Sequence, residues 1–340
     1  MKSHLILNST NNMSPDEWLK YRKRGIGASE VGAILGLSPY KSSIELFYDK
    51  IGEGLGYSTE NLALFRGHEQ EPILAKMWQY WDGSQENMIA NFRAGKIVRK
   101  CHRVNAYVHN PAFPWLFVSL DRKIVKHDGK DEGTLELKTI GGYEADKWES
   151  GIPPSHIVQV NTQILVCEFL YGELATLRDN RVFDVIPFDR HDSICEKIVR
   201  QTKEFWDKVE EARKILTRRF EAQRTFNQRE VEELTAQLQE LEPDPDGSDA
   251  FNDFLKEKYK IARPGARQGT LEQQLDAEAH KRIAGQIKAL NEEKQLHENR
   301  LKSYIRDDFE RLEFGSAGFV SWKSDTNGVR RFLNKIKLDA

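Results

Sequence analysis

Between Lys96 and Leu137 the spacing of apolar residues changes from helical to strand-like, and from about Pro154 it changes back. The runs Lys96–Cys101, Trp115–Val125 and Thr134–Thr139 are rich in β-branched and aromatic residues. The stretches before and after them carry apolar residues every three or four positions, as helices do. Helices, then strands, then helices packed on the sheet predict an α/β domain over residues 1–210.

Within that frame the boundaries have chemical markers. Ser14, Pro15 and Glu17 predict a capping box that opens a helix ending near Arg24 and Gly25. Ser42 caps a later helix, and residues 61–81 read as helical despite Pro72. A strand pair is expected at Ala175–Asp179 and Val182–Phe188, followed by a helix from about Asp189 past Trp206. Beyond residue 210 Glu, Lys, Gln and Arg dominate, and the apolar residues thin to one stripe. The stripe comprises Leu271, Leu275, Ala279, Ile283, Ile287 and Leu290, and resumes at Leu301, Ile305, Phe309 and Leu312. With Val231, Leu234, Leu238 and Leu241 as its antiparallel partner, this predicts a helical hairpin or coiled-coil arm over residues 211–315. Asn327-Gly328 predicts a small β-hairpin in residues 316–340.

The formal net charge of −2 gives no global nucleic-acid signature, so only local basic segments such as Lys20–Arg24 and Lys96–Arg103 are available for it. Three scattered cysteines form neither a metal motif nor a disulfide framework. No run approaches membrane length and the N-terminus lacks the pattern of a signal peptide, so a soluble protein of a reducing compartment is expected.

The strand Gly133–Thr139 poses a chemical question. Alternation puts Leu135 and Leu137 on one face and Glu136 and Lys138 on the other. Ser119 and Asp121 share a face of the run upstream. If the two strands are neighbours, two carboxylates and an ammonium converge, a set that suits a hard divalent cation and metal-assisted phosphodiester hydrolysis. A surface Glu–Lys pair is the plainer alternative. Glu71 falls on the apolar face of its helix with Leu74, Ala75 and Trp78, where an unpaired carboxylate is costly. Gln159 and Gln163 lie four apart on a helix that is apolar nearly all round, and buried amides there need either backbone partners or a ligand.

The ordered motifs Trp18–Gly36, Arg66–Pro72, Ser119–Asp121, Glu136–Lys138 and Gln159–Val166 resemble those of the YqaJ-type viral recombinase, or lambda exonuclease-like, family of phage nucleases. The resemblance covers about residues 14–210. It implies a PD-(D/E)xK, restriction-endonuclease-like core, a mixed central sheet flanked by helices, although Leu120 stands where the generic motif has proline. It implies metal ligation by Asp121, Glu136, the Leu137 carbonyl and Glu71, with Lys138 as catalytic lysine. Arg22, Ser29, Ser119 and Gln159 match a pocket for a 5′-terminal phosphate, with Gln163 a further candidate; Arg24 rivals Arg22. The implied activity is 5′–3′ digestion of linear duplex DNA with Mg²⁺ (Mn²⁺ substituting), with two ions per site. The resemblance further implies a ring-shaped homo-oligomer and a single-strand annealing partner of the Redβ or RecT type. It places the protein in the cytoplasm of a bacterial host, as a phage or prophage product. An endonuclease on the same core and a non-cleaving DNA-end-binding module working through the arm are the alternatives.

Overall fold

The computed structural model describes residues 2–54, 62–125, 131–141, 148, 151–261, 264–324 and 328–337. They divide into two compact units, Met1–Ile261 and Ala262–Ala340.

The first unit is mixed α/β. Its strands form two sheets. One sheet has the order β1-β4-β5-β2, formed by Ile6–Ser9 (β1), Ala106–His109 (β4), Leu116–Ser119 (β5) and Ile26–Gly27 (β2). The other runs β3-β6-β7-β8-β9, formed by Cys101–His102 (β3), Arg122–Ile124 (β6), Gly133–Ile140 (β7), Tyr171–Arg178 (β8) and Val182–Asp189 (β9). Leu120 and Asp121 carry the chain from β5 to β6. The expected continuous strand through Ser119 and Asp121 is therefore broken, and Asp121 sits at the crossing between sheets.

β6 and β7 form an antiparallel hairpin with Arg122 opposite Leu135 and Ile124 opposite Gly133. Its connection, which includes Asp128, lies partly outside the described residues; Asp131 is exposed and Glu132 pairs with Lys123. β7 and β8 are parallel, and the crossover between them contains the helix α6 (Pro154–Cys167), as parallel pairing requires. The packing here leaves no room for a side chain at Gly172. A Cβ there would meet Thr134 Cγ2 at 2.5 Å and Val160 Cγ1 at 3.1 Å.

The helices begin where the sequence marks them. Ser14 and Glu17 form the capping box of α1 (Pro15–Arg22), and Ser42 caps α3 (Ser43–Ile51), which follows the short α2 (Val31–Ile34). α4 (Leu62–Tyr80) continues through Pro72. α5 (Gln85–Arg93), capped by Ser84, was not foreseen, because its polar sequence has one deeply buried residue, Met88. One core joins α2, α3, α6 and the 33-residue α7 (Asp192–Arg224) to the first sheet; a second packs Leu74 and Trp78 of α4 against Leu135 and Leu137.

Two expectations about the C-terminal third need correction. Leu234 and Leu238 of α8 (Gln228–Glu240) are buried in the first unit's core, together with Phe251 and Phe254 of α9 (Asp249–Lys258). Their apolar faces are thus taken up within the first unit. The apolar face of α7 continues past residue 210 through Ala212, Ile215 and Ala222, so the chain stays on the body there. The stripe itself lies on α10 (Leu271–Ile305), which stops before Phe309 and Leu312; Arg306 follows with φ 50°. Leu312 belongs to β10 (Arg311–Glu313). The terminal hairpin is accordingly a three-stranded sheet, β10-β11-β12, with β11 at Gly318–Ser324 and β12 at Arg330–Ile336. Asn327 of the expected turn lies outside the described residues, whereas Gly328 has φ 79°.

Candidate active site

Continuing the β6–β7 register by one residue places Asp121 opposite Glu136. Asp121 Oδ2 accepts a hydrogen bond from the Leu137 N–H at 2.9 Å, which fixes the end of the crossing segment against β7. Lys138 Nζ lies 2.7 Å from Glu136 Oε1. The two carboxylates and the ammonium expected from alternation do meet.

Glu136 is held on the far side by α6. Gln159 Nε2 donates to its Oε1 and Gln163 Nε2 to its Oε2, each at 2.6 Å. Gln163 Oε1 in turn accepts from Thr134 Oγ1 at 2.7 Å. The i, i+4 spacing of the two glutamines gives each carboxylate oxygen one amide. The partner of these amides is thus neither backbone nor ligand but the site carboxylate. Gln163 is 1% exposed with both ends of its amide engaged, so it orients Glu136.

Charge is unevenly balanced. Burial, and then the negative Glu136, push the Asp121 carboxyl up to about 8, against the opposing pull of Lys138 and the Leu137 N–H. Burial disfavours the Lys138 ammonium, but Glu136 and Asp121 outweigh that and raise its pKa. The pair of carboxylates is short of positive charge.

Glu71 lies close enough to Asp121 for its charge to help raise the Asp121 pKa. Arg122, like its cross-strand neighbour Leu135, faces α4, and Glu71 forms a largely covered ion pair with it. Arg122 Nη1 also donates to the Asp121 carbonyl. Among the described residues no three His, Cys, Asp or Glu side chains gather as a ready metal cage. The donor set of Asp121, Glu136 and the Leu137 carbonyl is all hard oxygen. With Asp121 driven toward its protonated form beside a second carboxylate, its chemistry fits a divalent cation.

A second cluster lies at the sheet end from which Asp121 emerges. β2 and β5 are parallel with Gly27 beside Phe117, so the chain leaves both strands in the same direction, toward Ser29 and Ser119. Ser29 and Ser119 are exposed. Arg22 Nη2 lies 3.4 Å from Ser29 Oγ and 2.9 Å from Glu30 Oε1, with its guanidinium over the Trp18 ring. Arg24 instead lies over Tyr21.

The sequence reading missed the support beneath Arg22. Glu30 is buried and accepts from Lys50 Nζ at 2.7 Å and from the Gly27 N–H at 2.8 Å. Lys50 also donates to the Arg22 carbonyl at 2.6 Å. Burial disfavours ionised Glu30, yet Lys50 and Arg22 hold its pKa down at about 2. Also missed was His156, whose ring stacks on Trp148 at 5.2 Å; burial first, then Lys138, lowers its pKa to about 4. Lys50 sits on an amphipathic helix where nothing marks a lysine as buried; the Glu at position 30 was the only available hint.

Residues 17–169 match the YqaJ-like viral recombinase domain. A curated relative, uncharacterized protein YqaJ of Bacillus subtilis (strain 168), is 29% identical over 324 residues, covering 92% of this chain and 84% of that protein. An alkaline exonuclease from Laribacter hongkongensis aligns over 60% of this chain and 96% of its own, with TM-score 0.44 and 18% identity. A phage related exonuclease from Haemophilus somnus 129PT covers 57% and 98%, with TM-score 0.34 and 11% identity. Among the described residues no helix is long and apolar enough to cross a membrane.

Proposed function

We propose, from the match of residues 17–169 to the YqaJ-like viral recombinase domain, that the chain is a metal-dependent nuclease of the PD-(D/E)xK type. It digests linear double-stranded DNA from its 5′ ends and leaves 3′ single strands for phage-type recombination by annealing. The observation that carries this reading is the convergence of Asp121, Glu136 and Lys138 on adjoining strands, with Asp121 pinned to Leu137.

Asp121, Glu136 and the Leu137 carbonyl would hold Mg²⁺ or Mn²⁺, and Glu71, released from Arg122, would serve a second ion. When bound, the ion supplies Lewis-acid polarisation of the scissile phosphodiester. The chain's own residues do the rest. Gln159 and Gln163 keep both oxygens of Glu136 in place, so the carboxylate needs no reorganisation when substrate arrives. Lys138, bonded to Glu136 and partly open to solvent, orients the attacking water and stabilises charge developing on the phosphate. Arg22 and Ser29, with Ser119 at the same sheet end, take the terminal phosphate; a guanidinium suits such a fork of oxygens. Glu30 and Lys50 set the position of Arg22 from below.

The test is digestion of a linear duplex labelled separately at each 5′ and 3′ end, with 5′-phosphate or 5′-hydroxyl termini, with and without Mg²⁺. Progressive loss of the 5′-phosphorylated strand, absent in Lys138→Ala, is expected. Internal cuts in a closed circle would assign an endonuclease instead. End binding with no metal-dependent turnover would make the chain a binding module.

A further inference from the structure

Tyr107 of β4 carries a polar atom that the fold leaves without a partner. The residue is 1% exposed, and its hydroxyl makes no hydrogen bond among the described residues. Buried hydroxyls are almost always bonded, because the hydration lost on folding is otherwise not replaced. Nor is this one free to turn away. The ring stacks on Tyr21 with centroids 4.6 Å apart and planes 3° from parallel, and it meets the Phe117 ring edge-on at 5.0 Å. Tyr21 is tied to the same strand through its own hydroxyl, 2.8 Å from His109 Nε2.

The surroundings define the kind of acceptor that is missing. Tyr107 pairs with Ser119 across the β4–β5 ladder, and paired residues project from the same face of a sheet. It lies close enough to the Arg22 guanidinium for each to influence the ionisation of the other. Arg22 offers donors only. Glu30 also acts on Tyr107, but its carboxylate already takes Arg22, Lys50 and the Gly27 N–H. Burial pushes the Tyr107 phenol up to about 12, so it keeps its proton at neutral pH and stands as a donor. A donor beside a guanidinium, with no acceptor of the chain bonded to it, fits an anion brought from outside. A phosphate has oxygens enough to satisfy both groups.

We propose that Tyr107 is a further residue of the terminal-phosphate pocket, where its hydroxyl donates to an oxygen of the 5′-phosphate held by Arg22 and strengthens the preference for phosphorylated over hydroxyl ends. This rests on the nuclease reading above. Contact requires the partly exposed Arg22 side chain to shift onto the phosphate and so open the hydroxyl to it. Because that hydroxyl gave up its water on folding, the phosphate oxygen displaces none from it, and the ring stack holds it at one place beforehand.

Tyr107→Phe removes the hydroxyl and keeps the stacked ring. Steady-state digestion of linear duplex with 5′-phosphate or 5′-hydroxyl ends, wild type against Tyr107→Phe, reads the effect. The ratio of kcat/KM for phosphorylated over hydroxyl ends should fall at least about tenfold, as for loss of one bond to a charged group. The loss should lie mainly in KM. Thermal melting of the variant without DNA should match or exceed that of the wild type, since no partner within the fold is lost. A wild type that prefers phosphorylated ends beside a variant that keeps the same preference would overturn this proposal and leave the nuclease reading standing. A clear drop in melting temperature would show that the hydroxyl serves the fold through an enclosed water, and would overturn it as well. A wild type indifferent to the terminal group would overturn the phosphate pocket itself, and the role of Tyr107 with it.

Discussion

Asp121 and Leu137 are sixteen residues apart, yet the Asp121 carboxylate takes the Leu137 N–H at 2.9 Å. That one bond sets the crossing between the two sheets against the strand that bears Glu136 and Lys138. The consequence is electrostatic: Asp121 is committed to a half-buried place facing another carboxylate.

Asp121 therefore disfavours high pH in the metal-free protein. Its folded pKa of about 8 lies above the unfolded value near 4. Its contribution to stability is full below the unfolded value and is lost as pH rises through the folded one. Asp121→Asn should raise the melting temperature of the metal-free protein at pH 8 to 9, with the gain shrinking toward pH 5. Thermal melts across that range check this, and an equal gain at both ends would contradict it.

Cation binding at the same site should expel a proton. At pH 7 Asp121 is mostly protonated, so Mg²⁺ or Mn²⁺ should displace up to about one proton per site, falling toward zero by pH 9. Affinity should climb with pH up to about 8 and then level off. Calorimetry in buffers of different ionisation enthalpy counts the protons directly.

Lys138→Ala should lower cleavage by about 10²–10⁴-fold, the range for loss of one positioned acid–base or charge-stabilising group. Melting of the metal-free protein should fall as well, because Lys138 is the cation paired with buried Glu136. Cleavage kinetics beside circular dichroism separate the two effects.

Beneath Arg22, Lys50→Met leaves buried Glu30 with Arg22 as its remaining charged side-chain partner. A loss of about 3 kcal/mol is expected from breaking such a buried pair. Glu30 itself stabilises above its unfolded pKa near 4.5, and that contribution fades as pH falls through about 2. Glu30→Gln should flatten that acid limb. Urea titrations at pH 7 and pH 3 report both.

Gly172→Ala drives a methyl into Thr134 Cγ2 at the join of β7, β8 and α6. A cost of about 2 kcal/mol is expected from overpacking at so tight a site. Thr134→Ser in the same chain should recover part of it.

How much of this was legible in the sequence follows from the range of the forces involved. The capping residues Ser14 and Ser42 act within three positions, so they read directly. So did the alternation of β7, where Leu135 and Leu137 meet α4 while Glu136 turns to α6. Register did not read. Glu71 was rightly placed on the packed face of α4, but the residue that meets it, Arg122, lies 51 positions away and was chosen by strand pairing. Likewise Leu234 and Leu238 have the spacing of a coiled-coil seam, and only the folded chain shows them packing with Phe251 and Phe254. Lys50 gave no signal of its own, since a lysine looks alike in sequence whether it is solvated or fully enclosed.

The clasp that Gln159 and Gln163 form on Glu136 bears on how inactive variants are to be chosen. Glu136 anchors the crossover helix as well as lining the site, so Glu136→Ala would strand two amide groups against a strand with nothing to accept them. Such a variant conflates a silenced reaction with a loosened scaffold. Lys138→Ala leaves that clasp whole, which makes it the cleaner inactive control.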